Sequence, residues 1–315
     1  MTLFRRVSAL TAFFIFVQIV LGAITRLTES GLSCPDWPLC YDLWFPTPEK
    51  LAALPEVNYT FGQVMSEWFH RFNAAVAVGP LTLVLLALAY RLRAAVRGLF
   101  PTVVAAAVVL LIEAGLGGFT VLDSNSPWSV AVHLTVALIL IGLVMRAHLL
   151  VRQRPEGTVP PGGAMTAVVV ALVLVVITVA SGAMMAKSGA SLACPSWPLC
   201  DGGLIPDLAD TGVRLAFLHR VFALAAALAV VTLWFAARRG GGERRTPFAR
   251  AANMALSVLV LQIVVGAVVF KAFDAEALWP QVLAGTVHQA IGVMLFATVV
   301  VMGWMLGQAS TSADE

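Results

Sequence analysis

Four histidines, His70, His133, His219 and His288, each stand near the start of an apolar run in a chain of 315 residues that holds only one other, His148. Neutral imidazole is the commonest nitrogen ligand in proteins, and helix bundles build cofactor sites from side chains on facing helices. A single histidine near a helix end is ordinarily a hydrogen-bonded structural residue. Four at one depth, two in each half of the chain, point to ligation. Two imidazoles from two helices, with glycine on the neighbouring helices and no carboxylate cluster in the second half, suit the axial positions of a haem iron better than a closed tetrahedral zinc site. The expected pairs are His70 with His133, and His219 with His288. His148, beside Arg146 at the other end of its run, fits neither pair and reads as a solvated or headgroup-facing residue.

Two carboxylates distinguish the halves. Aligning FHR at 69–71 on LHR at 218–220 sets Glu67 opposite Ala216, so only the first half has an acid three residues before its histidine. Ionisable groups inside membrane segments are functional by default. Glu67 is therefore the catalytic candidate, as a general acid or base or as a stabiliser of positive charge on a reacting carbon; the alternative is an ordinary helix ion pair with Arg71 four residues on. Glu113 is a second candidate, with Gln262 as its counterpart. Arg71 and Arg220 follow their histidines directly. Each could snorkel to lipid headgroups or neutralise a haem propionate.

A polar residue stands four before a glycine in each odd-numbered run: Gln18 and Gly22, Glu113 and Gly117, Thr178 and Gly182, Gln262 and Gly266. Each pair shares one helix face. Close helix packing through small residues accounts for this, and so does clearance for a flat ligand. The cysteines are Cys34 and Cys40 in GLSCPDWPLC, and Cys194 and Cys200 in SLACPSWPLC. Each pair can close a small loop as a disulfide, structural or redox-active.

These residues need membrane helices to hold them. The chain is 60% hydrophobic and 12% charged, with a mean hydropathy of +0.90. Eight apolar stretches, about 7–25, 69–90, 100–122, 129–151, 164–186, 216–237, 250–271 and 283–306, are long enough to cross a bilayer. The first reads as a retained helix, with no convincing cleavage site. Of the 20 Lys and Arg, 13 fall near helix ends on one side, which sets that side and both termini in the cytoplasm and the cysteine loops outside. A bacterial plasma membrane is expected, with lipid as the surroundings. The net charge of +3 follows from this topology and gives no reason to expect nucleic acid. Trp44, Trp68, Trp128 and Trp279 read as an interfacial belt.

The cysteine loops match at seven of ten positions, so the chain reads as a tandem duplication. The expected fold is an all-α integral membrane protein with eight transmembrane helices in two pseudo-symmetric four-helix bundles, residues 1–155 and 164–315, joined by a linker over 156–163.

The ordered set EWFHR, LHR, single histidines opening the fourth and eighth runs, and CPDWPLC resembles the haem A synthase family over essentially the whole chain. The resemblance implies oxidation of the C8 methyl of haem O to a formyl group, giving haem A for terminal oxidases. It implies that His219 and His288, with Arg220, hold haem b (iron) as cofactor. His70 and His133, with Arg71, would bind haem O as substrate, and Glu67 would act in the chemistry. The cysteine pairs look like the family's loop disulfides, Cys34 with Cys40 and Cys194 with Cys200. Haem O synthase and oxidase assembly factors are the partners it suggests; the oligomeric state stays open. Two other readings remain: a dihaem b-type cytochrome exchanging electrons with quinone, and a membrane thiol-disulfide oxidoreductase.

Overall fold

The structure is a computed structural model that describes residues 1–55, 57–152, 163–200, 203–239, 246–275 and 277–307. Eight of its helices are long and apolar enough to cross a membrane, and the chain is a multi-pass membrane protein. They are α1 (Thr2–Leu27), α2 (Phe61–Leu92), α3 (Leu99–Leu122), α4 (Pro127–Leu150), α5 (Ala164–Lys187), α6 (Thr211–Arg239), α7 (Pro247–Asp274) and α8 (Leu278–Gly307). All eight expected spans are present, and the described residues contain no β-strand. Most of the linker, and Arg154, Arg244 and Arg245 of the basic set, lie outside the described residues.

Several helices begin earlier than their apolar runs. At α2 the Thr60 side chain accepts from the Gln63 N–H while the Gln63 side chain returns to the Thr60 N–H. This reciprocal cap satisfies donors that the first turn leaves unpaired. The helix therefore starts about two turns before the apolar run does. Ser126 before Pro127 and Thr246 before Pro247 start α4 and α7 by the same logic, with proline where no N–H is needed.

In α2 the segment Ala74–Val78 is π-helical. Gly79 and Pro80 follow it, and a proline inside a helix removes one ladder bond and crowds the carbonyl four residues back. A one-turn π-bulge absorbs both effects. The counterpart helix α6 has alanine where α2 has Pro80 and runs unbroken.

The helices pack as two closed rings, α1–α2–α3–α4 and α5–α6–α7–α8, each returning on itself. This agrees with the expected pair of four-helix bundles. The rings meet along a seam made by α1 on α8, α4 on α5 and α4 on α8. Gly142 of α4 lies against Phe296 of α8 there, and one continuous apolar core runs through both rings.

Two side chains differ from expectation. Trp68 is buried in a small cluster with Cys34, Cys40 and Val64, and its Nε1 donates to the Trp44 carbonyl at 2.8 Å. It belongs to the loop core, and not to a lipid-facing belt. His148 is half-buried, its Nδ1 2.9 Å from the Ser8 hydroxyl of α1. It ties α4 to α1, where a solvated residue was expected.

Candidate functional site

Each of His70, His133, His219 and His288 leans on the glycine of the preceding helix. A Cβ added at Gly22 would stand 3.1 Å from His70 Cε1, at Gly117 3.4 Å from His133 Cε1, at Gly182 2.8 Å from His219 Cε1, and at Gly266 3.2 Å from His288 Cε1. In three of the four the polar side chain one turn away addresses the same ring; at His219 the contact is the backbone carbonyl of Thr178, whose hydroxyl donates to the Leu174 carbonyl. Gln18 Nε2 lies 3.1 and 3.2 Å from the two ring nitrogens of His70. Glu113 Oε1 lies 3.2 Å from His133 Nδ1. The Thr178 carbonyl is 3.1 Å from His219 Nδ1, which also meets the Ser181 hydroxyl at 3.1 Å. Gln262 Nε2 is 3.3 Å from His288 Nε2. The repeated polar–glycine spacing is thus a cradle for imidazole.

The rings of His70 and His133 are 6.4 Å apart between centroids, with planes at 74°. That separation accommodates one metal ion between two imidazoles at metal–nitrogen distances of about 2 Å. His219 and His288 lie within electrostatic reach of each other. Buried polar atoms without a hydrogen-bond partner lie at both pairs: Glu113 Oε2 in the first half, His288 Nδ1 and Gln262 Oε1 in the second. Native interiors pair such atoms, and a polar ligand between the imidazoles would supply the missing partners. Among the described residues no third His, Cys, Asp or Glu joins either pair in a metal-binding cluster. The donor set fits axial ligation of a haem.

Glu67 faces the other way. It is 4% exposed, and its Oε2 accepts from the Cys34 N–H at 2.9 Å and the Ser33 hydroxyl at 3.1 Å. Its Oε1 meets Arg71 Nη2 at 2.5 Å. Arg71 also donates to the carbonyls of Cys34, Asp36 and Leu39. Its guanidinium closes the ring made by the Cys34–Cys40 disulfide. Arg220 does the same in the second half, donating to the carbonyls of Cys194, Ser196, Pro198 and Leu199 inside the Cys194–Cys200 loop. The structure therefore brings together the four histidines with their polar partners, and separately the two arginines with the disulfide loops. Glu67 belongs to the second group; Glu113 is the carboxylate at an imidazole.

Tyr41 follows Cys40 in this loop, where burial first, and then the neighbouring charges of Tyr59, Glu67 and Asp36, push its phenol above the ordinary range. Asp36 accepts the backbone N–H groups of Tyr41 and Asp42, which holds those two residues at positive φ. Trp37 reaches across to Gly118 of α3, and Asn125 Nδ2 donates to the Gly31 carbonyl at 2.5 Å. The first loop is thereby fastened over its own helix ring. Between α1 and α2 a cleft of about 640 Å³ is lined by Phe14, Leu21, Met65, Phe69 and Phe72, with Asn73 at its polar side. Asn73 donates to Gln18 at 2.7 Å and so joins the His70 cradle.

Arg26 and Gln289 were not among the residues singled out from the sequence. Arg26 ends α1 and donates to Gln289 Oε1 at 2.7 Å across the seam. Gln289 follows His288 directly and donates to the Ile19 carbonyl at 3.1 Å. The available signal was an arginine in the last turn of an apolar helix.

The fold and site define a multi-pass membrane protein with paired-histidine centres in two tandem helix rings. A family model described as cytochrome oxidase assembly protein (COX15-CtaA) matches residues 5–300. The chain belongs to this family, that of the haem A synthases. The heme A synthase of Granulibacter bethesdensis is 32% identical, the match covering 96% of this chain and 87% of that protein. Those of Symbiobacterium thermophilum and Sphingopyxis alaskensis are 29% and 28% identical, over 84% and 96% of this chain and 84% and 92% of their own.

Proposed function

We propose that this protein is a haem A synthase that oxidises the C8 methyl of haem O by successive hydroxylations, to the alcohol and then to a geminal diol that loses water to give the formyl group. The observation that carries the reading is the pair of glycine-backed imidazole sites, of which only the first has a carboxylate, Glu113, at an imidazole. Substrate haem O belongs to the first ring, residues 1–155, with His70 and His133 as its ligands. In the second ring, residues 164–315, His219 and His288 hold haem b, which when bound supplies a redox centre to take electrons from the reaction.

The protein's own part is placement. Each imidazole is held between a glycine surface and a polar neighbour, so its ring plane is set before ligand arrives, and pre-organisation lowers the cost of binding. Glu113 can accept the His133 Nδ1 proton, which fixes the tautomer and leaves the other nitrogen to ligate. Glu67 holds Arg71 and the Cys34–Cys40 loop at the mouth of the first ring. It is the residue whose loss stalls oxidation while haem b stays in the second ring. Arg71 and Arg220 act with their haems through the loops they clamp. The basic residues set both termini in the cytoplasm of a bacterium, with loops and sites on the outer side of the plasma membrane. Haem O synthase and oxidase assembly factors are the partners this position suits.

Chromatography of haems extracted from cells that make haem O, with and without this protein, tests the reading. Haem A or its hydroxylated precursor should appear only with the protein. Haem b alone, with haem O untouched and the protein folded, would favour the dihaem electron carrier.

A further inference from the structure

The outer-loop end of the two rings carries three arginines next to the histidine sites, and two of them are consumed. Arg71 and Arg220 give their guanidinium donors to loop carbonyls, and Arg71 to Glu67. Arg26 differs. Its Nη2 has only the neutral Gln289 as acceptor, and its Nε is buried with no partner. Among the described residues no carboxylate lies within ion-pair distance of it; the pairs present are Arg71 with Glu67, His133 with Glu113, and Lys271 with Asp274. A cation in such surroundings is costly unless paired. Arginine presents a planar fork of donors that matches a carboxylate.

Its position says which carboxylate. Arg26 lies four residues beyond Gly22 and eight beyond Gln18, one turn nearer the loop end on the side of α1 that cradles His70. Gln289 steadies it from the second ring, and is itself anchored on the Ile19 carbonyl of α1. The arrangement exists once. Under the alignment of the two halves Arg26 stands opposite Ala186, and Gln289 opposite Leu134.

We propose that Arg26, oriented by Gln289, binds a propionate carboxylate of the haem held at His70 and His133. This rests on the haem A synthase reading and deepens it, by naming the group that recognises the acidic edge of the substrate. The charge-assisted pair forms only when substrate is in place, so its loss falls on substrate affinity and leaves the second ring alone.

The test uses the full-length protein purified in detergent, with haem O and its propionate dimethyl ester as the two probes, each titrated by absorbance. Wild type should bind the free acid about tenfold to a hundredfold tighter than the ester. Arg26→Gln should bind both at the level of the ester, Arg26→Lys should recover part of the preference, and haem b retained on purification should not change. Full discrimination by Arg26→Gln would overturn the inference. So would unchanged discrimination accompanied by loss of haem b, which would assign the carboxylate to the second ring. A wild-type protein that takes up neither probe would instead sink the substrate-haem reading itself. Wild-type elution in size-exclusion chromatography and an unchanged melting curve certify that the variants are folded.

Discussion

Replacing Gly182 by alanine is the sharpest perturbation of the imidazole cradles. The added methyl carbon would stand 2.8 Å from His219 Cε1 and 3.2 Å from its Nδ1. Ordinary contact begins near 3.4 Å, so the ring must retreat by about 0.6 Å, whereas metal–ligand distances tolerate only about 0.2 Å. Gly22→Ala and Gly266→Ala demand about 0.3 and 0.2 Å, and Gly117→Ala demands none. Overpacking of this kind costs about 1–3 kcal/mol, which corresponds to roughly 5-fold to 150-fold weaker haem retention at about 1.4 kcal/mol per tenfold. Helix propensity acts in the opposite direction, since alanine is favoured over glycine by about 1 kcal/mol. Thermal stability of the haem-free protein should therefore hardly move while haem occupancy falls. The assay is pyridine haemochrome per protein on purified variants, with a melting curve beside it. Losses should be larger for Gly182→Ala than for Gly266→Ala, the two glycines of the ring that retains haem, and Gly117→Ala should lose none. Full occupancy in Gly182→Ala, or an equal loss in Gly117→Ala, would refute the cradle argument.

His219→Ala or His288→Ala should deplete the haem that copurifies, and His70→Ala should spare it, read from reduced-minus-oxidised spectra; equal depletion would contradict the division between the rings. Glu67→Ala leaves the partly buried Arg71 cation with only its loop carbonyls as partners, a loss below the about 3–5 kcal/mol of breaking a fully buried pair. It should stall oxidation of haem O with haem b retained, and normal turnover would remove Glu67 from the reaction. Glu113→Gln keeps a hydrogen-bonding side chain at His133 and should slow product formation while haem O still binds; an unchanged rate would leave Glu113 a packing residue. A variant with all four cysteines changed to serine should still make haem A at a reduced rate, and complete loss with full haem content would favour the thiol oxidoreductase.

The spans, the four histidines and the polar–glycine spacing were legible because each is a pattern within one helix. Hydrophobic length marks a span by itself, and residues four apart on a helix share a face whatever lies opposite. The direction in which a side chain turns was less so. Glu67 is three residues before His70 and four before Arg71, both neighbours on a helix surface; the loop amide of Cys34 decides between them, and it comes from another segment. Trp68 and His148 misled for the same reason. Membrane depth predicts lipid or headgroup contact, but a loop carbonyl and the hydroxyl of Ser8 reach them first. Arg26 was hidden more deeply, since its acceptor lies on α8, at the other end of the chain.

The seam between the rings carries a further consequence. In a dimer of two identical four-helix chains, a residue placed at the interface appears twice, and any charge introduced at one centre is imposed on the other. Fusing the copies into one polypeptide removes that constraint. Arg26 can face Gln289 on one side of the seam while Ala186 and Leu134 occupy the matching places on the other. Glu113 can likewise stand beside one imidazole with Gln262 at its counterpart. Covalent duplication is thus what allows two sites of common design to differ in the charges and donors around their imidazoles.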